Sequence, residues 1–420
     1  MADQIHKKFS SSQVKSLIES YIAKEIKLSY ILSILGINRS RFFTLLKNYR
    51  QNPSSFSVEY ARNTPNRKIK SMVEDDLLAE LFVEKCLIED KSNPVKCYNY
   101  SYIRDLLLDK YGHKVSVPTI IDRAKRYGFY DKKKKKKAHD RQVVTNYIGE
   151  LLQHDSSNHK WSPYAQDKWF LITTLDDYSR KILYGNFIKN ETSWAHIESA
   201  EQTTLEYGIA YSFYVDSHSI FRFVQGRDSF WRKHYKITDE ADPQFKQVLS
   251  DLGIKIIYAL SPQAKGKIER PYGWLQDRIV RICAREGISK IDDARIVLAA
   301  ELKRYNEYQV HSTTGEIPDE RFYRALHGKR SLFRTFEIPK PYLSTKDIFA
   351  LRAERMVNAY HKISINNLEL TVPGVPLRAY TSMRIVPDKK SGLAEVRFWY
   401  DEKLVGIQKV KIEDLNIPNF

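Results

Sequence analysis

Apolar positions in the first fifty residues recur with helical spacing. Val14, Leu17, Ile18, Tyr21 and Ile22 fall at i, i+3, i+4, i+7 and i+8, which places them on one stripe. A short helix is predicted over Leu28–Leu35 and Gly36 marks a tight turn. Asn38 can cap a third helix with Phe42, Phe43, Leu45, Leu46 and Tyr49 on its apolar side. The other side of that helix carries Ser40, Arg41, Thr44, Lys47 and Asn48. The pattern then repeats, with helices predicted at about Val73–Glu89 and Ser101–Lys110, a break at Gly112, and a third helix opened by Ser116 and Pro118. Thr119, Asp122, Arg123 and Arg126 share the outward face of this last helix. Gln51–Lys70, rich in Ser, Asn, Pro and basic residues, reads as an extended linker, and the six lysines Lys132–Lys137 read as a solvated one.

Past Asp140 the pattern becomes strand-like. Strands are predicted at Tyr147–His154, Lys168–Leu175, Ile182–Ile188, Ala210–Val215 and Lys255–Tyr258, with helices at Trp194–Tyr207, near Gln244–Leu252, and from about Lys267 to Glu286. The order βββαβαβα makes a mixed five-stranded sheet with helices. A linker helix is predicted over Lys340–Glu354. Beyond Val357 come a hairpin (Lys362–Ile365, Leu368–Val372) and short strands at Met383–Val386, Glu395–Trp399 and Leu404–Gln408, the pattern of a small β-barrel. The expected fold class is therefore multidomain α+β.

The composition refines this picture. The 420 residues carry 69 Lys and Arg against 51 Asp and Glu, a net charge of +18, which suits a polyanionic partner. Split at Asp140 and Pro339, the three parts carry +12, +2 and +4, so the basicity belongs mainly to the helical repeats. A helix, a turn and a second helix with a polar, basic face form the helix-turn-helix pattern, whose last helix enters the major groove of double-stranded DNA. That makes Arg41, Thr44, Lys47, Asn48, Thr119, Arg123 and Arg126 candidate DNA contacts. A three-helix bundle with no ligand would give the same pattern. Three scattered cysteines (Cys86, Cys97, Cys283) form neither a disulfide framework nor a thiolate metal site, and a reducing cytoplasm is expected. There is no apolar run long enough for a membrane span, and no signal-peptide core in Met1–Lys8.

Three carboxylates stand at element ends: Asp155 at the end of the first predicted strand, Asp216 at the end of the fourth, and Glu269 at the start of the long helix. Sheet proteins place active sites there. Such hard oxygen donors suit Mg²⁺ or Mn²⁺, and a pair of ions can serve the attacking and leaving oxygens of a phosphodiester. In the long helix Ile268, Tyr272, Leu275, Ile279 and Ile282 form a core stripe. Arg270, Arg278, Arg281 and Arg285 form a basic stripe opposite, and Glu269 shares the margin with Gly273 and Gln276. The preceding loop Ser261–Lys267 brings Lys265 and Lys267 to a helix N-terminus, where phosphate is favoured. Singly, each acid also fits a surface charge or a cap. Asp176 and Asp177 are rival acids, but their turn context makes them structural first.

Asp155, Asp216 within Tyr214-Val215-Asp216-Ser217-His218, and Glu269 within Ser261–Arg270 resemble the acidic triad of DDE transposases with a retroviral-integrase-like core. Leu175–Arg180 resembles that family's second-to-third strand turn, and Tyr305-Asn306 with His311–Pro318 resembles its later Asn-to-His-Ser-Gly-Pro segment. The likeness runs from about Tyr147 to Ala325. It implies a bacterial insertion-sequence transposase with a ribonuclease-H-like core, Asp155, Asp216 and Glu269 as ligands of two metal ions, and Lys265, Lys267 and Arg270 near DNA phosphates. It further implies an SH3-like terminal barrel and a dimer or higher homo-oligomer holding element ends and target DNA. Water would cut first, and the freed 3′-hydroxyl would then attack the target.

The gap from Asp216 to Glu269 is longer than in integrases. Its surplus, Ile220–Phe245, mixes aromatic and basic residues, among them Trp231, suited either to stacking on unpaired bases or to a packed hairpin. The resulting division is 1–52 and 71–130 as helix-turn-helix modules, 53–70 and 131–142 as linkers, 143–330 as the catalytic core, 331–354 as a further linker, and 355–420 as the barrel. Two rivals stay open: a transposase-derived DNA-binding protein whose catalysis has decayed, and a stand-alone ribonuclease-H-like nuclease.

Overall fold

The computed structural model describes residues 5–59, 69–131, 144–216, 244–259, 266–365 and 368–415, with backbone alone at 266–269. The chain divides into two compact units, Met1–Ser71 and Met72–Phe420.

In the first unit α1 (Ser11–Ile22), α2 (Leu28–Leu35) and α3 (Arg39–Gln51) pack around Val14, Ile18, Ile31, Leu35, Phe42, Leu45 and Leu46. Ser10 and Gln13 close a capping box on α1, Gly36 ends α2 at φ 63°, and the Asn38 side chain accepts from the Arg41 amide at 2.8 Å. Phe43 departs from the predicted apolar side: it is exposed, with the Arg39 guanidinium over its ring. The start of the expected linker also behaves differently. Phe56 meets Tyr49 edge-on, and the Val58 amide donates to the Ser11 hydroxyl, so this stretch returns to the bundle.

The second unit opens with α4 (Ser71–Glu89), α5 (Tyr100–Tyr111) and α6 (Val117–Arg126), built around Leu77, Leu81, Tyr102, Ile103, Leu107, Ile120 and Ala124. Asn99 caps α5, Gly112 ends it at φ 71°, and Ser116 caps α6. A five-stranded mixed sheet follows, formed by β1 (Leu152–His159), β2 (Trp169–Asp176), β3 (Ile182–Ile188), β4 (Ser212–Val215) and β5 (Lys255–Tyr258) in the order β3-β2-β1-β4-β5. β1 and β2 are antiparallel, as are β2 and β3, whereas β1–β4 and β4–β5 are parallel. α7 (Ser193–Tyr207) and α8 (Gln244–Asp251) cover one face. α9 (Gly266–Glu286), α10 (Ile291–Glu307) and α11 (Pro318–His327) complete the core, and α10 and α11 were not among the predicted helices. The first strand starts five residues later than its apolar pattern suggests. Ile148 bridges to Ser331 instead, and Gly149 turns the chain at φ 71° where a Cβ would collide with the Phe333 ring.

The C-terminal part differs most from expectation. The predicted linker helix is reduced to α12 (Thr345–Ile348), after which β6 (Leu351–Met356) begins. The reason is Asp347. Fully buried, it accepts from Arg397, from the Trp399 indole at 3.1 Å and from the amides of Leu343 and Ser344, which pins the chain before it enters the sheet. β7 (Lys362–Ile365) and β8 (Leu368–Thr371) form the expected hairpin. β9 (Tyr380–Asp388), β10 (Leu393–Tyr400) and β11 (Lys403–Lys411) join β6 in an antiparallel sheet of order β11-β10-β9-β6, followed by α13 (Ile412–Leu415). No closed barrel forms among the described residues, because β6 and β11 remain the two edges of the sheet and β7–β8 pairs only with itself. One apolar cluster runs from Phe213 and Phe245 in the core to Phe349, Leu351 and Phe398 here, so 331–354 is packed structure.

Candidate active site

The site is set by strand register. β1 and β4 run parallel with Leu152 beside Phe213 and Gln153 beside Tyr214. Extending that register by two residues brings Asp155 level with Asp216, on neighbours about 4.8 Å apart. Asp155 is thus the fourth residue of β1 rather than its last, while Asp216 directly follows β4 as expected. Both carboxylates are half-buried. Alternation puts Gln153, Asp155 and Ser157 on one face of β1 and His154 on the other.

α9 lies against the Asp155 face. The Tyr272 hydroxyl donates to the Asp155 carbonyl at 2.7 Å and accepts from the Thr173 hydroxyl at 2.8 Å, and the Gln276 amide donates to the Ser157 hydroxyl at 3.1 Å. Burial, reinforced by the negative charge of Asp155, raises the Tyr272 pKa well above the ordinary phenol value, so the group stays a donor. Helical spacing puts position 269 on the stripe of Tyr272 and Gln276, in the first turn of α9. Arg270 is exposed and donates to the Thr313 hydroxyl, which ties this helix start to the His311–Pro318 loop. That loop carries a buried His311, whose pKa is lowered to about 4 by burial and by Arg180, Arg270 and Arg321. Asn306 brackets β3, accepting from the Ile182 amide and donating to its carbonyl, both at 2.9 Å.

The opposite face of β1 holds a polar chain that sequence reasoning missed. His154 pairs with Thr174 at 2.9 Å and with His196 at 2.8 Å, and His196 reaches Glu191 at 3.1 Å. Single histidines in apolar runs gave no signal of this. The rival acids are structural. Asp176, raised to about 6 by burial, accepts from the Gly149 and Ser179 amides, and Asp177 accepts from Thr145, Gln153 and Arg180.

The arginine stripe of α9 is not a surface. Arg278 and Arg281 are 2% and 0% exposed and, with Arg285, are paired to acids of α4 and α5. The stripe appears as an open cationic face in the sequence only because its partners lie almost two hundred residues away. On α6, Arg123 is held by Glu74 at 2.8 Å and by Asp122, whereas the Arg126 side chain is 63% exposed; Thr119 is half-buried at the helix start. On α3, Arg41, Thr44, Lys47 and Asn48 are all exposed. Lys265, Trp231 and the lysine run Lys132–Lys137 lie outside the described residues, and of Lys267 and Glu269 only the backbone is described. Among the described residues no group of three metal-ligating side chains converges, and no helix is long and apolar enough to cross a membrane.

Two curated proteins align with this chain. A protein named as transposase y4bF from Sinorhizobium fredii is 32% identical over 175 residues, 42% of this chain and 36% of that protein. The transposase for insertion sequence IS1202 from Streptococcus pneumoniae is 29% identical over 233 residues, 55% of this chain and 44% of its own length. The sequence relatives of this chain are transposases. The matched segments span less than half of each of these transposases. No protein-family model matches the chain. Solved structures aligned with it include the simian T-cell lymphotropic virus intasome bound to a PP2A regulatory subunit (15% identity, 73% of this chain and 92% of that one, TM-score 0.34) and the HTLV-2 integrase catalytic core in complex with magnesium (18% identity, 43% and 99%, TM-score 0.31).

Proposed function

We propose that this chain is a DDE-type DNA transposase, binding the ends of its mobile element and cutting and joining strands at a site made by Asp155, Asp216 and Glu269. The carrying observation is the β1–β4 register, which sets two half-buried carboxylates side by side on the face against which the first turns of α9 lie. The order β3-β2-β1-β4-β5 with two antiparallel and two parallel neighbour pairs supports a ribonuclease-H-like core.

The donor set fits Mg²⁺ or Mn²⁺: level carboxylates, hard oxygen atoms, and enough exposure for a phosphodiester to approach. When bound, a pair of such ions supplies charge stabilisation at the attacking and leaving oxygens. The chain's own residues hold that arrangement. Tyr272 fixes the β1 backbone at Asp155, Thr173 orients the Tyr272 hydroxyl, and Arg270 with Thr313 anchors the helix start beside Glu269. Water would attack the end phosphodiester first, and the freed 3′-hydroxyl would attack target DNA at the same site.

The helical modules would read the ends as helix-turn-helix units, through Arg41, Thr44, Lys47 and Asn48 on α3 and through Thr119 and Arg126 on α6, with Arg123 acting from its ion pair. Lys265, Lys267 and Arg270 would contact phosphates and Trp231 an unpaired base, while two ends held together call for a homo-oligomer on DNA. Residues 1–52 and 71–130 would thus hold the duplex and 143–330 would carry the chemistry, with the C-terminal sheet a further DNA contact. The test is strand cleavage of duplex taken from the DNA flanking the coding sequence. Asp155→Asn, Asp216→Asn and Glu269→Gln should each abolish Mg²⁺-dependent cleavage while leaving duplex binding intact, and cleavage by any of them would remove that residue from the site.

A further inference from the structure

The second helical module is bound to the catalytic core through charge. Arg278 reaches Asp105 of α5 at 2.9 Å and also Glu301 of α10. Arg281 pairs with Glu84 of α4, and its guanidinium also donates to the Cys97 carbonyl. Arg285 reaches Glu80 at 2.6 Å and Glu84 at 3.0 Å, and Arg304 of α10 reaches Asp109 at 2.6 Å. Glu80, Glu84, Asp105 and Glu301 are buried along with Arg278 and Arg281, whereas Arg285 is half-buried and the Arg304–Asp109 pair lies nearer the surface. Around these pairs, Tyr102 lies under the guanidinium groups of Arg278 and Arg285, and Ile282 packs into the module's apolar cluster.

Breaking one partner of a buried, hydrogen-bonded pair strands a charge in low dielectric. Three arginines of α9 make such contacts with α4 and α5, which holds the module against the core. Glu80 and Glu84 on α4 face Arg281 and Arg285 on α9, two (i, i+4) pairs meeting as a ladder. That ladder is on the same helix whose first turn carries Glu269. The exposed residues of α6, Arg126 and Lys125 among them, are therefore fixed relative to Asp155 and Asp216.

We infer that the second module is a ruler: the buried ladder fixes the distance between the duplex segment held by α6 and the bond cut in the same subunit, so the cut falls at a set offset from that segment. This rests on the transposase reading above. Arg278, Arg281 and Arg285 are then positioning residues, acting on where cleavage falls rather than on its chemistry.

The experiment uses the full chain and duplex from the DNA flanking the coding sequence, with the α6 footprint defined as the protection lost in Arg126→Ala. About half a helical turn, some five base pairs, is inserted between that footprint and the cleaved bond. A ruler moves the cut by the inserted length or loses cleavage at the original bond by about a hundredfold. Undiminished cleavage at the original bond would overturn the inference. In a second arm, Glu80→Gln, Glu84→Gln and Asp105→Asn are combined to release the module. The variant should bind the duplex as before and cut the original bond on inserted and uninserted duplex about equally. Retained sensitivity to the insertion despite release, judged by new protease cleavage between the module and β1, would also overturn it. Should that variant fail to fold, the insertion arm on the unaltered chain decides alone. Absence of any cleavage of the uninserted duplex would instead count against the transposase reading.

Discussion

Replacing Tyr272 by Phe removes one oxygen and tests whether the α9 contact positions Asp155. The hydroxyl sits between the Thr173 side chain at 2.8 Å and the Asp155 carbonyl at 2.7 Å, on a side chain 6% exposed. Its loss takes away an acceptor from Thr173 and a donor from the Asp155 carbonyl. Deleting one partner of a buried hydrogen bond costs about 1–3 kcal/mol. The unit holding Tyr272 has about 350 residues, and at about 2.1 cal/mol/K per residue its Tm falls by about 1.4 °C per kcal/mol. The expected shift is therefore about 1–4 °C, small enough that the variant stays folded at assay temperature. Cleavage should fall more than stability does, by about ten- to a hundredfold, because a carboxylate displaced by a fraction of an ångström no longer matches its partner on β4. Thermal melts and single-turnover cleavage of the flanking duplex measure the two effects on the same protein. Unchanged cleavage with the lowered Tm would make Tyr272 a packing residue only, and unchanged Tm would refute the hydrogen-bond account itself.

Arg126→Ala should cost about 1–3 kcal/mol of duplex affinity if it reads a base, with little change in stability, whereas Arg123→Ala, which removes the half-buried ion pair with Glu74, should lower stability as well; titration calorimetry and melts separate them. His311 stays neutral in the folded chain down to about pH 4, while the unfolded ring takes a proton near 6.5. Stability should therefore fall as pH drops from 6.5 towards 4, and urea unfolding of His311→Gln should show less of that loss. Asp176 works in the opposite sense over the same window, so the difference between the two proteins is the quantity to compare. Gly208→Ala should destabilise by about 2 kcal/mol or more in urea unfolding, since Gly208 adopts φ 100° and a Cβ would lie 2.5 Å from the Arg334 carbonyl oxygen.

Much was decided by sequence alone. Periodicity and caps fixed the six N-terminal helices, because Asn38, Gly36, Gly112 and Ser116 act on their own neighbours. Four of the five core strands were legible for the same reason, as was Asp216 at the end of β4, since alternation and turn chemistry are local, whereas the first strand begins five residues later than its pattern suggests. Tertiary structure alone decided what each charge faces. The arginines of α9 have the spacing of a phosphate-binding stripe, and so do their partners Glu80 and Glu84 of a solvated one, yet each buries the other. Helical spacing records that two faces are charged but not that they meet. The same limit explains Asp347, an ordinary acid in a polar stretch until Arg397 and Trp399 close over it and turn a predicted helix into one turn and a strand. It explains Asp155 as well: a parallel register with β4, set by a strand sixty residues on, puts this carboxylate beside Asp216.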